Sequence, residues 1–423
     1  MLQISKIREN KEFIIERLAV KNFDGKKTID EILEIDSKRR KTQNELDALL
    51  NESNVIAKQV GELFKAGKQA EANELKAKTV LLKEHSKKLE EELCLLENDQ
   101  HTLLVQLPNT PSVLVPKGKT PADNETVHEE GEIKKLYEGA IPHWELTSKY
   151  DIIDFEMGVK LTGAGFPVYK NKGAKLQRAL INYFLDKASA AGYIEVQPPI
   201  LVNEASGYGT GQLPDKEGQM YYVGIDNLYL IPTAEVPITN MYRDVIVKEA
   251  DFPIKNCGYT PCFRREAGSY GKDVRGLNRL HQFDKVEIVQ IQHPDKSYET
   301  LENMREFVAG ILRELELPFR ILKLCGGDMS FGSALTYDME TYSAAQEKWL
   351  EVSSVSNFET FQSNRLKLRF KGKDGKTQLA HTLNGSALAL PRIVATLLEN
   401  NQTPEGIVIP KVLVPYTKFE IIN

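Results

Sequence analysis

The sequence predicts an α+β protein in which a mostly antiparallel sheet with flanking helices follows an N-terminal antiparallel coiled-coil hairpin. The segment from Thr28 to Gln106 lacks proline and holds only two glycines, and apolar residues recur there in sevens. From about His143 onward, short β-rich runs mix with amphipathic helical patterns. Because these strands do not alternate regularly with helical crossovers, we favour an antiparallel sheet over a parallel one.

Two heptad series mark the hairpin. The first steps by threes and fours through Ile32, Ile35, Arg39, Thr42, Leu46, Leu49, Ser53, Ile56, Val60 and Leu63. The second places leucine every seven residues at Leu75, Leu82, Leu89, Leu96 and Leu103. The glycine-containing stretch Lys65-Ala66-Gly67-Lys68 separates them and predicts a reversal of direction. At ~1.5 Å per residue the arm would be roughly 55 Å long, too thin to enclose a core of its own.

The end of the hairpin near the turn is rich in lysine. From Lys58 to Lys88 there are eight lysines against four glutamates, although the hairpin as a whole is acidic. A basic tip suits contact with a phosphate backbone. A dimerisation coiled coil, a spacer or a simply solvated helical face fits the same pattern.

Composition excludes several classes of protein. With 423 residues, 41% apolar, 27% charged and a net charge of -5, the chain is expected to form two or three domains and to be neither disordered nor membrane-spanning. Its four cysteines form no Cys-x-x-Cys pair, so we expect no zinc site, no disulfide framework and reduced thiols. Charges interrupt the first apolar residues, so we expect no signal peptide, no membrane association and a cytoplasmic location.

The predicted domain boundaries follow the prolines. Pro108, Pro111, Pro116 and Pro121 punctuate a polar stretch after the hairpin. We therefore predict an N-terminal domain over 1–107 with its arm at about 28–106, a linker or extended strap over 108–132, and a second domain over 133–423.

The chemically most informative segment lies in the second domain. Cys262-Phe263-Arg264-Arg265-Glu266-Ala267-Gly268-Ser269 is followed by a loop and then by His281-Gln282-Phe283-Asp284-Lys285-Val286-Glu287, which predicts strand, loop and strand. Phe-Arg-Arg-Glu with Arg279 and Phe283 beyond it resembles motif 2 of the class II aminoacyl-tRNA synthetases. The segment 192–201 is similar to motif 1 of that family, and 383–392 is similar to motif 3.

Within this class the resemblance narrows to the seryl-tRNA synthetases. It does so through Gly209-Thr210-Gly211-Gln212-Leu213-Pro214, Thr233-Ala234-Glu235 and Glu351-Val352-Ser353-Ser354-Val355-Ser356-Asn357-Phe358. The N-terminal hairpin belongs to the same pattern, so the resemblance covers nearly the whole chain. Val352 stands where the family usually has isoleucine, a conservative departure.

The resemblance implies the activation of L-serine by ATP and its transfer to the 3′ end of tRNA. Joining a carboxylate to ATP brings two anions together, so the site must cancel negative charge and align the reactants. The implied catalytic residues are Arg264, Glu287 and Arg392. Arg264 would hold the α-phosphate and the serine carboxylate, while Arg279 and Arg392 would hold the triphosphate tail. Any one of these arginines, standing alone, would fit a surface ion pair better, and it is their occurrence together in the motifs that favours the phosphate roles.

The other implied contacts divide by ligand. Those for serine are Thr233, Ala234, Glu235, Arg264, Glu287, Asn384 and Ser386. Those for ATP are Arg264, Arg265, Glu266, Arg279, Leu280, Phe283, Glu351, Val352, Ser353, Ser354 and Arg392. Phe283 would stack on adenine, and Glu351 would meet Mg²⁺ through ATP, which is itself a substrate. No general base is needed for the first step, because the attacking carboxylate is already a nucleophile.

The resemblance also implies partners: tRNA(Ser), tRNA(Sec) where it is present, and a second copy of the chain joined through motif 1 as a homodimer. Lys272 and Arg275 would guide the acceptor end of the tRNA. Two other interpretations stay open. One is a relative that loads a carrier protein or activates another small amino acid, and the other is a non-enzymatic adaptor or RNA-binding protein with a degenerate synthetase domain. The basic-tipped hairpin speaks against a carrier protein as acceptor, and the intact arginines and carboxylates speak against degeneration.

Overall fold

The computed structural model describes residues 1–215, 217–266 and 274–423. The chain divides into two compact units. The first comprises Met1–Ala19 and Phe23–Pro108, and the second comprises Val20–Asn22 and Asn109–Asn423. Each unit has a hydrophobic core of its own.

The first unit is helical and contains the predicted coiled-coil hairpin. Its helices are α1 (Ile4–Glu9), α2 (Lys11–Val20), α3 (Lys26–Lys65) and α4 (Gln69–Leu104). Helices α3 and α4 pack along each other, and every seam position named above is buried or half-buried. Gly67 sits in the intervening turn with a φ of 75°, a conformation that glycine adopts without strain.

The base of the hairpin is held by a small apolar core and one buried carboxylate. Asp36 is 1% exposed and accepts hydrogen bonds from Arg8 at 3.1 Å, Arg39 at 3.4 Å and Gln100 at 3.3 Å. A buried charge is stable only when it is paired in this way. Asp36 thus joins α1, α3 and α4.

The second unit combines nine helices and nineteen strands in the described ranges. The helices are α5 (His143–Lys149), α6 (Phe155–Leu161), α7 (Asn171–Ala190), α8 (Glu204–Thr210), α9 (Glu235–Asn240), α10 (Ser297–Glu314), α11 (Thr360–Leu366), α12 (Leu390–Asn400) and α13 (Val414–Thr417). The strands are β1 (Glu125–Glu130), β2 (Ile153–Asp154), β3 (Val168–Tyr169), β4 (Ile194–Glu195), β5 (Leu201–Asn203), β6 (Tyr222–Val223), β7 (Leu228–Leu230), β8 (Ile246–Lys248), β9 (Ile254–Phe263), β10 (Gln282–Gln292), β11 (Phe319–Lys323), β12 (Leu335–Ser343), β13 (Lys348–Glu359), β14 (Arg369–Lys371), β15 (Thr377–Leu379), β16 (His381–Ala389), β17 (Gln402–Thr403), β18 (Gly406–Val408) and β19 (Ile421–Ile422).

Eight of these strands form the main sheet, in the order β1-β11-β12-β13-β16-β10-β9-β4. All neighbours are antiparallel except β4 and β9, which run parallel. Helices α7, α10 and α12 pack on the sheet and share its largest hydrophobic core. The predicted α+β class with a mostly antiparallel sheet is therefore confirmed.

The predicted linker contains regular structure. Glu125–Glu130, inside the 108–132 stretch, forms β1 and pairs with β11 at the edge of the main sheet. Half of its residues are glutamates and all six are half-exposed or exposed, as suits a strand at an edge. The polar composition that suggested a linker therefore belongs in part to this strand.

In the described ranges no helix is both long enough and apolar enough to cross a membrane.

Candidate active site

The site is built on one face of the hairpin formed by β9 and β10. The two strands pair from Phe263 opposite Gln282 to Ile254 opposite Ile291. Side chains alternate between the faces of a strand, so Phe283, Lys285 and Glu287 share one face of β10. The alternate positions Val286 and Ile288 are fully buried in the main core. The face opposite that core is thus the one that carries polar chemistry.

Strand β16 adds two polar side chains to this face. Ser386 lies opposite Glu287 and Asn384 lies opposite Val289, and residues directly opposite each other point to the same side of a sheet. Both side chains are nearly buried, at 7% exposure. The structure therefore brings the predicted serine-binding residues Glu287, Asn384 and Ser386 together, although they lie about a hundred residues apart.

A lysine that the sequence analysis did not single out lies at the centre of this cluster. Lys285 Nζ lies 2.5 Å from Glu287 Oε2 and donates to Thr233 Oγ1 at 2.8 Å. The Thr233 hydroxyl in turn lies 3.2 Å from Glu287 Oε2. Burial raises the pKa of Glu287, and the Lys285 ammonium acts in the opposite direction. The i, i+2 spacing of Lys285 and Glu287 on a strand was the available signal for this pair.

A second buried carboxylate, Glu235, joins the cluster at the start of α9. Gln362 Nε2 donates to its Oε1 at 2.6 Å, and Asn384 also hydrogen-bonds the carboxylate. Burial, followed by repulsion from Glu287, raises the pKa of Glu235 to about 7. Ala234, the third member of the predicted Thr233-Ala234-Glu235 segment, is fully buried against apolar neighbours, so only its main chain is available to a ligand.

The predicted nucleotide residues occupy the end of the same hairpin. The Arg264 guanidinium lies 5.2 Å from the centre of the Phe283 ring and donates from Nε to the carbonyl of Pro232 at 3.4 Å. Arg265 is exposed, with its guanidinium 5.0 Å from the Tyr221 ring. The Phe283 side chain is half-buried, so part of its ring is open to a stacking partner.

Two further arginines flank this region. Arg279 Nε donates to Glu266 Oε2 at 2.5 Å, across the loop that joins β9 to β10. Arg392, in the first turn of α12, donates to the carbonyls of Asn278 at 3.0 Å and Glu351 at 2.8 Å. The five positions 264, 279, 287, 386 and 392 thus lie along one connected set of strands and their adjoining segments. Leu280 is buried in the main core, which leaves only its main chain for a ligand.

A β-bulge in β13 decides which residues of the segment 351–354 face the site. Ser353 pairs with Met339 and Glu351 pairs with Glu340, so Val352 is the extra residue. Val352 is buried in the main core, and the Ser353 hydroxyl donates to the carbonyl of Ser386 at 2.5 Å. The bulge places Glu351 on the same side as Ser354, which a regular strand would not do for residues three apart.

The structure adds Asp338 to this group. Asp338 lies opposite Ser354 in the pairing of β12 with β13, and among the described residues its Oδ1 is buried without a hydrogen-bond partner. Burial, together with the nearby charge of Glu351, raises its pKa well above the usual value. Sequence reasoning missed Asp338 and Gln362, because each is recognisable only from strand pairing or tertiary contact.

Of the two predicted tRNA contacts, Arg275 and Lys272, the structure describes only Arg275. Arg275 is exposed and its guanidinium lies 4.6 Å from the centre of the Trp144 ring. Lys272 lies outside the described residues.

Two family profiles match the chain. The profile described as "Seryl-tRNA synthetase N-terminal domain" matches residues 1–111. The profile described as "tRNA synthetase class II core domain (G, H, P, S and T)" matches residues 221–401. The two matches cover the hairpin and most of the strands that carry the site.

Whole-chain comparisons give the same family. The serine–tRNA ligase of Salinibacter ruber is 49% identical over 100% of this chain and 99% of its own length, and that of Gloeothece citriformis is 43% identical over 100% of both. The solved seryl-tRNA synthetase of Pyrococcus horikoshii in complex with ATP superposes with a TM-score of 0.92 at 34% identity, covering 100% of this chain and 99% of that one. The cytoplasmic serine–tRNA ligase of Naegleria fowleri in complex with AMP gives 0.88 at 26% identity, with coverage of 100% and 99%. The chain therefore belongs to the seryl-tRNA synthetase family of class II aminoacyl-tRNA synthetases.

Proposed function

We propose that the polar face of β9, β10, β13 and β16 joins L-serine to ATP, forming seryl-adenylate, and then passes the seryl group to the 3′ end of tRNA(Ser). The overall reaction follows from family membership, since the chain is a class II ATP-dependent serine–tRNA ligase. The assignment of residues to steps is our proposal. The observation that carries it is the buried cluster of Glu235, Glu287, Lys285 and Thr233, set beside an arginine-bearing hairpin on the same sheet.

The charges of the cluster suit the ammonium group of an amino acid. Among the described residues, the ammonium of Lys285 pairs directly with Glu287, while the guanidinium of Arg264 acts on Glu287 from farther away and Glu235 has no direct ion pair. In a desolvated site this leaves one negative charge without a partner, a deficit that the ammonium of serine would make up. Thr233, Asn384 and Ser386 supply neighbouring hydrogen-bonding groups for the serine hydroxyl. A site that pairs a substrate hydroxyl can reject the analogue without it by roughly 10⁴-fold.

The arginines suit the reacting phosphate. We assign Arg264 to the α-phosphate and the serine carboxylate, because a guanidinium can bind two anionic oxygens at once. Phe283 would stack on adenine, with the main chain of Leu280 at its edge and Arg265 and Glu266 nearby. Arg279 and Arg392 would hold the triphosphate. These fixed charges would stabilise the charge that develops as the carboxylate attacks, without a general base.

The residues around the bulge fit Mg²⁺. Glu351 is half-exposed, Asp338 has a buried oxygen without a described partner, and the Ser354 hydroxyl lies across the strand pair from it. Oxygen ligands from one or two carboxylates, completed by phosphate oxygens and water, are what Mg²⁺ prefers. When bound with ATP, the ion would neutralise charge on the phosphates.

We assign the N-terminal unit, residues 1–107, to tRNA binding through the arm at about 28–106, and residues 133–423 to catalysis. All eight lysines between positions 58 and 88 are exposed, as contact with a phosphate backbone requires. The RNA partner would be tRNA(Ser), and tRNA(Sec) where it is present. Deleting 28–106 should leave serine-dependent exchange of pyrophosphate into ATP largely intact while charging of tRNA collapses. Equal loss of both would contradict this division of roles.

We further propose a homodimer that works in the cytoplasm. The motif 1 segment, residues 192–201, follows α7, contains β4 and supports the dimer. It borders a cavity of about 550 Å³ and carries Ile194, whose side chain is 66% exposed. The cavity is lined in part by Tyr169 and Gln177, each with a buried oxygen that has no hydrogen-bond partner among the described residues. A second copy of the chain would cover this face. Sedimentation equilibrium tests the dimer, and a monomer at micromolar concentration would contradict it.

The experiment that tests the whole proposal is pyrophosphate exchange with each of the twenty amino acids in turn. Serine should give the strongest response, and a stronger response to another amino acid would overturn the specificity assignment. Arg392→Ala should fold normally yet lose the exchange. Retention of full exchange by this variant would remove the triphosphate role from Arg392.

A further inference from the structure

A buried histidine–glutamate pair lies behind the proposed ATP site. His143 begins α5 and Glu399 lies near the end of α12, and both side chains are fully buried. His143 Nδ1 lies 2.6 Å from Glu399 Oε1, which also accepts from the His143 main-chain N–H at 3.0 Å. Gln346 donates to the same oxygen at 3.0 Å, and the Ser343 hydroxyl donates to the other oxygen. None of these residues belongs to the class II motifs identified in the sequence.

Glu399 is held as a carboxylate. Burial alone would raise its pKa, but the hydrogen bonds from His143 and Ser343 outweigh burial and hold the pKa below its usual value. An ionised carboxylate can only accept hydrogen bonds, so the nitrogen of His143 that faces Glu399, Nδ1, must carry the hydrogen and donate it.

The second ring nitrogen of His143, Nε2, accepts a hydrogen bond from the main chain that leads from the loop into β10. The main-chain N–H of Leu277 points at His143 Nε2 over 2.8 Å. A main-chain N–H can only donate, so Nε2 is an acceptor and the imidazole is the tautomer with its hydrogen on Nδ1. Glu399 on one side and Leu277 on the other thus fix both the tautomer and the orientation of the ring.

The returning segment bears directly on two of the ATP-binding arginines. The carbonyl of Asn278, the residue after Leu277, accepts from Arg392 Nε at 3.0 Å. The Asn278 side chain donates to Gln346 Oε1 at 2.9 Å, which ties it to the same network. Arg279 follows immediately. The position of the main chain at 277 and 278 therefore sets the position of both guanidinium groups.

The fit between this segment and the imidazole is close. Gly276 has a φ of 64°, and a β-carbon built there would lie 2.2 Å from His143 Nε2. No side chain fits in that space, so glycine is required for the segment to rest against the ring. The contact is therefore steric as well as polar.

We propose that His143, oriented by Glu399, is a positioning residue for ATP: it holds the 276–278 segment so that Arg279 and Arg392 are set for the triphosphate before the nucleotide arrives. The inference rests on the proposed roles of those two arginines. In this role His143 touches neither ATP nor serine, but it controls the affinity for ATP.

Two substitutions separate positioning from mere structural support. In His143→Asn the amide reaches the position of Nδ1 and keeps a donor for Glu399, but it is too short to accept from Leu277. In His143→Gln the amide oxygen reaches the position of Nε2 and can accept from Leu277, but the donor to Glu399 is lost. Steady-state pyrophosphate exchange with serine, varying ATP and serine separately, gives a KM for each substrate.

Positioning predicts that His143→Asn raises the KM for ATP roughly tenfold, the loss expected for one hydrogen bond that orders the site, with little change in the KM for serine. His143→Gln should lie closer to the wild type in the KM for ATP. A purely structural pair predicts the reverse order, since His143→Gln leaves a buried carboxylate short of a donor. That order, or a wild-type KM for ATP in His143→Asn, would overturn the inference.

A third variant covers the case in which a His143 substitution does not fold. Gly276→Ala keeps both His143 and Glu399 but pushes the returning segment off the ring, so it should raise the KM for ATP. Because alanine is strained at this positive φ, its Tm should also fall by a few degrees while the protein still folds. An unchanged KM for ATP in Gly276→Ala would contradict the inference. Arg392→Ala, measured in parallel, separates two failures. If Arg392→Ala keeps its affinity for ATP, the proposed function of that arginine fails, whereas loss there with a wild-type KM in the His143→Asn and Gly276→Ala variants rejects only the positioning role.

Discussion

Replacing Lys285 with methionine would remove the cation at the centre of the serine cluster while keeping most of the side chain's bulk. Lys285 Nζ lies 2.5 Å from Glu287, and the two side chains are 7% and 2% exposed. Breaking a buried pair of this kind by removing one partner typically destabilises by about 3–5 kcal/mol, because the remaining charge has no counterion. For a unit of this size each kcal/mol shifts the Tm by about 2 °C, so we expect a fall of roughly 6–10 °C at pH 8.

The pH dependence of this loss is the sharper test. Lys285 lowers the pKa of Glu287 against the effect of burial, so its removal raises that pKa further. A carboxyl whose pKa is higher in the folded state than in the unfolded state destabilises the fold increasingly as the pH rises above the unfolded value. The difference in Tm between the wild type and Lys285→Met should therefore be small at pH 5.5 and large at pH 8.

Thermal unfolding followed by circular dichroism measures this difference. The control is the double variant Lys285→Met with Glu287→Gln, which carries no charge at either position and should recover much of the lost stability. A Tm deficit of equal size at pH 5.5 and pH 8 would refute the reasoning. So would a double variant that is no more stable than Lys285→Met alone.

Three other expectations follow from the same structure. The KM for serine should fall as the pH rises through about 7, by up to about tenfold per unit below that value, because the ammonium needs an ionised Glu235; Glu235→Gln should flatten this profile in pyrophosphate exchange. Replacing the lysines at positions 76, 83 and 87 with glutamate should weaken both the charging of tRNA and the dependence of charging on salt, while the exchange of pyrophosphate stays unchanged. Replacing Lys38 and Lys41, which lie farther from the turn, with glutamate should leave both charging and its salt dependence as in the wild type. Asp36→Ala should destabilise the base of the hairpin by about 1–3 kcal/mol, since the buried amide of Gln100 and two partly exposed arginines lose their acceptor. Amide hydrogen exchange in α3 and α4 would detect this, while serine-dependent exchange of pyrophosphate stays normal.

The hairpin was predictable from the sequence because its packing is determined by local spacing. A coiled-coil seam depends on residues three and four apart, and the chain displays that spacing directly in the pairs Ile32/Ile35 and Ile56/Val60, whose side chains are buried or half-buried. The turn is also local, since Gly67 supplies the positive φ that ends the first helix. No distant contact is needed to recognise either feature.

The candidate site was predictable only as far as its motifs carried a resemblance. Strand periodicity alone would place Glu351 and Ser354 on opposite faces of β13, and only the bulge at Val352 brings them to one side. Gln362 lies 127 residues from Glu235, to which it donates, so no local pattern connects them. The extra residue in one strand and the long-range pairing are both set by tertiary packing.

The charge balance of the serine cluster connects its stability to its selectivity. Ionising two carboxylates beside one ammonium in a desolvated pocket costs free energy. Burial and the charge of Glu287 raise the pKa of Glu235 to about 7, so near neutral pH Glu235 is partly protonated when no other cation is present. In the proposed complex the serine ammonium takes the place of that proton, so the same imbalance that weakens the free fold becomes affinity for an α-amino group. A pocket with a second lysine would be more stable but would lose this preference. On this reasoning the charge of Lys285 neutralises that of Glu287, while the negative charge of Glu235 has no counterion until the ammonium of the amino acid binds.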